Sequence, residues 1–200
     1  MSITPKQARL ARLFTAVVLG EWEEVRAQRR AAPGSEPDRE WREAVLQTHL
    51  FAGFPRLVQA YGVLTREGGL GLATRKELEE LAAEEARDRG AALFERIYGD
   101  AAEAVRDRLR SGHENFAQMI AEHAYGRVLS RPGLHPGTRE LLAVCALAAL
   151  GQDEQLASHA RGALRCGASP EALDAVLKTT ADLAGAARHE RALRIVERFR

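Results

Sequence analysis

The sequence predicts an all-α protein, on three observations. Apolar residues recur at three- and four-residue spacing along almost the whole chain, no stretch alternates apolar and polar residues long enough to suggest a strand, and helix boundaries carry their own chemistry. Helices are expected near 4–19, 21–32, 38–52, 55–66, 74–98, 100–111, 114–129, 138–150, 152–165, 170–184 and 187–199. Thr4 before Pro5 opens the first and Ser169 before Pro170 the tenth, because proline is pre-shaped for the first helical turn and has no amide hydrogen to leave unpaired. Thr74 with Glu77 and Asp100 with Glu103 have the spacing of capping boxes. Gly20, Gly99, Gly151 and Gly167 stand where a helix can end in a left-handed residue.

The chain also matches itself. Shifted by 131 residues, Leu19, Gly20, Glu23, Arg30, Ala32, Glu40, Ala44, Val45, Leu46 and Thr48 fall on Leu150, Gly151, Glu154, Arg161, Ala163, Glu171, Ala175, Val176, Leu177 and Thr179. After a one-residue slip, Gly53, Arg56 and Ala60 fall on Gly185, Arg188 and Ala192. Two diverged copies of one helical module follow: a degenerate copy in residues 1–66, an intervening helical segment in 67–137, and a second copy in 138–200, together forming one compact domain.

At 200 residues the chain can bury roughly 70% of its unfolded surface without metal or disulfide staples. Lys plus Arg (29) nearly balances Asp plus Glu (28), so there is no broad basic field for nucleic acid or anionic lipid. The longest apolar run, Leu141 to Leu150, is about half of what spans a bilayer, and no targeting segment stands out. Cys145 and Cys166 fit neither a disulfide framework nor a zinc site, which points to a reducing cytoplasm. Cys145 reads as a mid-helix hydrophobe, and Cys166, before a helix-ending glycine, as partly exposed.

Glu140 and His159 form the sharpest candidate pair. They lie eleven residues before and eight after the turn at Gly151, so in an antiparallel hairpin they sit roughly 16 and 12 Å from it, at nearly the same height. A carboxylate beside an imidazole can hold a general acid or base near neutral pH; the same two residues can equally form a packing contact between helices. In the first copy the two positions are Arg9 and Gln28, so one module keeps its packing residues without the pair. Tyr125 and His123 are candidates to line a site, with Glu122 pointing about 100° away from His123 on an α-helix. His49, His113, His135 and His189 read as surface or loop residues, and no spacing suggests a metal site.

The C-terminal part of the chain resembles the carboxymuconolactone decarboxylase family, whose relatives include the AhpD-like alkylhydroperoxidases. The resemblance runs from His123-Ala-Tyr-Gly through Ser130-Arg-Pro-Gly-Leu134, Thr138-Arg-Glu-Leu-Leu-Ala143 and Leu150-Gly151. It continues through Gln155-Leu-Ala-Ser-His159, Arg161-Gly-Ala-Leu164 and Gly167-Ala-Ser169, with Trp41 to Leu46 and Phe51 to Arg56 as counterparts in the first copy. It implies an AhpD-like all-α fold and a homo-oligomer, a trimer for a doubled chain. The apolar segments 141–150 and Leu46 to Phe54 point the same way, offering more greasy surface than one small core needs. Glu140 and His159 match the Glu and His of the peroxidase branch, but its two thiol positions are Gln152 and Gln155 here, which removes the nucleophile of that chemistry. The decarboxylase branch needs no thiol and no cofactor. By this resemblance the chain is expected to act as a lyase on a small carboxylated lactone or similar acid, with His159 as proton shuttle and Glu140 orienting it. Arg139 and Arg131 would hold a substrate carboxylate, with Tyr125, His123 and Gln155 around it. Two alternatives stay open: a redox protein using Cys145 or Cys166, and a non-catalytic helical module.

Overall fold

The computed structural model describes residues 3–79 and 83–199. The helices are α1 (Pro5–Leu19), α2 (Trp22–Ala31), α3 (Asp38–Gln47), α4 (His49–Arg66), α5 (Arg75–Glu79), α6 (Ala83–Tyr98), α7 (Ala102–Gly112) and α8 (Glu114–Met119). A π-helix (Ile120–Leu129) follows, then α9 (Pro136–Leu150), α10 (Asp153–Arg165), α11 (Pro170–Thr179), α12 (Ala181–Ala184) and α13 (Ala186–Val196). Short 3-10 turns lie at Gly99–Ala101 and Glu197–Phe199. The chain is all-α, with no strand among the described residues.

Caps set most of these boundaries. Thr4 accepts from the Gln7 amide while the Gln7 side chain accepts from the Thr4 amide, and Thr74 with Glu77 closes the same box before α5. The box expected at Asp100 and Glu103 does not form: residues 99–101 make a 3-10 turn, so the cap position of α7 falls on Ala101. The continuous helix expected over 74–98 is α5 and α6, and its stretch 80–82 lies outside the described residues. The helix expected over 38–52 breaks at Thr48, and that expected over 114–129 changes from α to π at Ile120.

The two ends of the chain run through the same series of elements. α1 and α9 are the same length and both end on a left-handed glycine, Gly20 and Gly151. Arg56 packs against Gly20, and the corresponding Arg188 lies against Gly151 and donates to the Ala149 carbonyl (2.6 Å). Further on, Gly53 (φ 76°, ψ 171°) and Gly185 (φ 83°, ψ 150°) interrupt the two modules with one backbone shape, a left-handed region that only glycine enters cheaply. α1 and α9 pack against each other. There Gln7 donates to Thr138 at 3.2 Å, two residues 131 apart in sequence, the shift at which the chain matches itself.

α9 is the central helix. Gly137 through Ala149 are all buried, and the helix is covered by α1, α10, α11 and α13, which is why it reads as apolar all round. The apolar run is therefore buried inside the chain from Leu141 to Ala149, with Leu150 half-buried. A second, smaller cluster (Leu93, Phe94, Ile97, Ala102, Ala124, Tyr125, Leu129 and Cys166) joins the intervening segment to α10. In it α6 and the π-helix meet backbone to backbone: a Cβ on Gly90 would lie 2.6 Å from the Gly126 Cα. This close approach presses the π-helix against α6 and, with α7 and α8, builds a roof over one face of α10.

Candidate functional site

Glu140 and His159 meet across the α9–α10 hairpin. His159 Nδ1 lies 2.9 Å from Glu140 Oε2, with the Glu140 side chain 1% and the His159 side chain 14% exposed. Room for the carboxylate comes from Gly162, one turn after His159, where a Cβ would stand 2.6 Å from Glu140 Oε2. Burial favours the neutral ring, but the adjacent Glu140 carboxylate outweighs it and holds the imidazole above its ordinary pKa of about 6.5. Because Nδ1 is taken by Glu140, Nε2 is the nitrogen left for a ligand.

His159 opens onto a cavity of about 510 Å³ beneath the roof. Its walls are mostly apolar, with Phe51, Leu109, Phe116 and Leu147 among them, and its polar groups include Gln155, Ser158, Tyr98 and Tyr125. Phe51, from the first module, stands edge-on to the His159 ring at 6.1 Å. Tyr125 Oη donates to Tyr98 Oη at 3.0 Å. Burial raises both phenols, the nearby Glu140 charge adds to the rise, and Tyr125 is lifted well above its usual value. Both are neutral hydrogen-bond donors at physiological pH. The π-helix sets this arrangement: each extra residue in a hydrogen-bonded turn rotates successive side chains by less than in an α-helix, and π-turns are frequent at functional sites. Here the Ser130 amide reaches back five residues to the Tyr125 carbonyl (3.0 Å).

Of the residues singled out in the sequence, Glu140, His159, Gln155 and Tyr125 are thus brought together. Arg139, Arg131 and His123 are not. Arg139, 1% exposed, donates to Glu43 (2.8 Å) and to the Gln47 side chain (3.3 Å), while Gln47 donates back to the Arg139 carbonyl (2.9 Å). Arg131 grips the same Glu43 with two bonds of 2.8 Å. Burial would raise the Glu43 carboxyl, but the two guanidinium groups prevail and lower it. A doubly engaged carboxylate fixes both arginines, so neither reaches the cavity.

His123 Nε2 lies 2.7 Å from His49 Nε2. His49 Nδ1 donates to the Leu46 carbonyl, which leaves its Nε2 as acceptor and makes His123 the donor, an assignment drawn from the network. The pair ties the π-helix to α4, and burial together with the charges of His49 and Arg127 lowers the His123 pKa. His49 is buried instead of lying on the surface. Glu122 is paired with Arg87 outside the cavity.

Both cysteines are free and buried, Cys166 included. Burial pushes the Cys145 thiol up to about 12 and the Cys166 thiol to about 11, so neither is a ready nucleophile. Among the described residues no three His, Cys, Asp or Glu side chains cluster as metal ligands, and no helix is long and apolar enough to cross a membrane. Tyr98, Gly162 and His49 were missed in the sequence. Their only advance signal was Gly162, which is Ala31 in the first module, the one that lacks the Glu–His pair.

The sequence profile of the carboxymuconolactone decarboxylase family matches residues 114–198, from the start of α8 to beyond α13. The chain is similar to "Peroxisomal protein 2" of Schizosaccharomyces pombe, 28% identical over 131 residues, 65% of this chain and 62% of that protein. It is also similar to 4-carboxymuconolactone decarboxylase of Acinetobacter baylyi, 34% identical over 67 residues, 34% of this chain and 50% of that enzyme. The matches span about half to three-fifths of these relatives' own lengths.

The Glu140–His159 pair carries a pH signature. His159 has a folded pKa above its unfolded one, so its contribution to stability is fully present below about pH 6.5 and is lost as pH rises through the folded value. His159→Gln is expected to cost about 3–5 kcal/mol near pH 6, as for a broken buried pair, and clearly less near pH 9. Urea denaturation at the two pH values checks this; a cost independent of pH contradicts it.

Proposed function

We propose that this protein, whose residues 114–198 match the profile of the carboxymuconolactone decarboxylase family, is a lyase-type enzyme doing acid–base chemistry on a small carboxylated lactone or a similar acid. The observation that carries the proposal is the buried Glu140–His159 hydrogen bond, with the ring opening onto a mostly apolar cavity that also holds two neutral phenols. In the proposed step the bond from the substrate's α-carbon to its carboxylate breaks and carbon dioxide leaves. The electron pair passes into the conjugated carbonyl, whose oxygen gains charge and accepts a hydrogen bond from Tyr98, the outer member of the phenol pair. His159, charged and steadied by Glu140, delivers a proton from Nε2 to the carbon, and solvent re-protonates it. With Arg139 and Arg131 held by the buried Glu43, the arginine at the cavity wall is Arg108, whose solvent-exposed pairing with Glu154 can be exchanged for a substrate carboxylate. The thiol-peroxidase alternative is disfavoured by Gln152 and Gln155 at the thiol positions and by two buried, protonated cysteines.

We further propose that the protein works as a homo-oligomer, by the family resemblance a trimer, in a reducing compartment such as the cytoplasm, where Cys145 and Cys166 stay reduced. The surface that supports assembly is the row Phe54, Val58 and Tyr61 on α4, exposed by 63%, 71% and 38%. Val58→Glu should shift sedimentation to a smaller species. An unchanged mass would remove this face from the interface.

Turnover of 4-carboxymuconolactone is expected in the purified protein and should fall about 100-fold or more in kcat with His159→Gln. The wild-type rate should decline as pH rises through the His159 pKa, because the imidazolium supplies the proton. Turnover indifferent to His159→Gln would reject the mechanism, and dithiol-dependent peroxide reduction that requires Cys145 or Cys166 would reject the function.

A further inference from the structure

The α10 wall of the cavity has a second face. Outside it, between α10 and α13, lies an open groove of about 720 Å³ lined by Arg108, Arg161, Arg191, Arg194 and Arg198 against only two carboxylates, Asp153 and Glu154. Those carboxylates are already engaged, Glu154 with Arg108 (2.9 Å) and Asp153 with Arg191. Arg194 has only its helix neighbour Glu190, at 4.0 Å. Arg161 and Arg198 form no ion pair among the described residues, and both guanidinium groups lie over the Phe199 ring, at 5.3 and 5.9 Å. Three cations so close together repel one another within a Debye length, in a chain whose net charge is only +1. Guanidinium forks of this kind match the paired oxygens of phosphate groups.

The groove and the cavity adjoin. Arg108, Glu154 and Ser158 line both, and the charge of Arg161 reaches the Tyr98 phenol inside the cavity. The inner chamber, by contrast, is walled chiefly by Leu, Phe, Val and Ile side chains and is of a size that takes a drug-sized ligand, with room beyond a single small ring.

We infer that the ligand of this site is bipartite: an apolar acyl or alkyl portion fills the chamber up to His159, and a polyanionic head of the phosphate or diphosphate type sits in the groove on Arg161, Arg194 and Arg198. This goes beyond the proposed function, since it concerns what the chamber and the groove bind together and not which bond reacts at His159.

Calorimetric titration of the full chain with hexyl diphosphate, inorganic pyrophosphate and hexanoate tests it. Hexyl diphosphate should bind at least tenfold more tightly than either of the others, with an affinity that falls steeply with salt. The surface double variant Arg161→Ala/Arg194→Ala should weaken it at least tenfold. Binding is read without turnover, so a failed turnover assay and a failed binding assay are separate results. Pyrophosphate binding as tightly as hexyl diphosphate would remove the chamber from the ligand site. Hexanoate binding as tightly would make the head a simple carboxylate, and an unaffected arginine variant, or no binding at all, would overturn the inference outright.

Discussion

A carboxylate buried to 1% exposure in the mostly apolar central helix is the constraint that the rest of this structure accommodates. An isolated carboxylate there would be driven to its neutral form. Glu140 has instead an imidazole at 2.9 Å, a glycine one turn beyond it that leaves space for the oxygen, and a roof that lets the imidazole's other nitrogen face a mostly apolar cavity. The roof depends in turn on the backbone contact at Gly90 and Gly126, which seats the π-helix carrying Tyr125.

The two ends of the chain differ at the site. At the positions of Glu140 and His159 the first has Arg9 and Gln28, which bind Glu36 and Glu24 respectively (2.8 Å for Gln28) and share no hydrogen bond with each other among the described residues. Its helices nonetheless keep the same order, the same glycine stops and the same arginine against the first of them. The N-terminal end thus supplies α1 to cover α9, and Leu50 and Phe51 to wall the cavity, while the C-terminal end supplies Glu140 and His159.

How much of this was legible in the sequence follows from the range of each interaction. Helix limits set by local caps, such as Thr4 with Gln7 and Gly151, were readable because their partners lie within a turn. The Glu140–His159 contact was readable from register alone, since a tight turn makes the hairpin geometry nearly rigid. What escaped depends on tertiary packing. Nothing in residues 120–129 announces a π-helix. The pairing of His49 with His123 spans 74 residues, and that of Arg139 with Glu43 spans 96. An arginine beside a candidate acid therefore read as a substrate clamp although a distant carboxylate holds it. The apolar run of α9 was likewise ambiguous between a buried helix and an interface, and only the arrangement of its neighbours decides.

The account stands on His159 being held as an imidazolium by a buried carboxylate. The most direct measurement is an NMR titration of the His159 ring, in the wild-type protein and in Glu140→Gln. The account predicts a pKa above about 6.5 in the wild type and a lower one in the variant. A wild-type value at or below the ordinary one, unchanged in the variant, would contradict it.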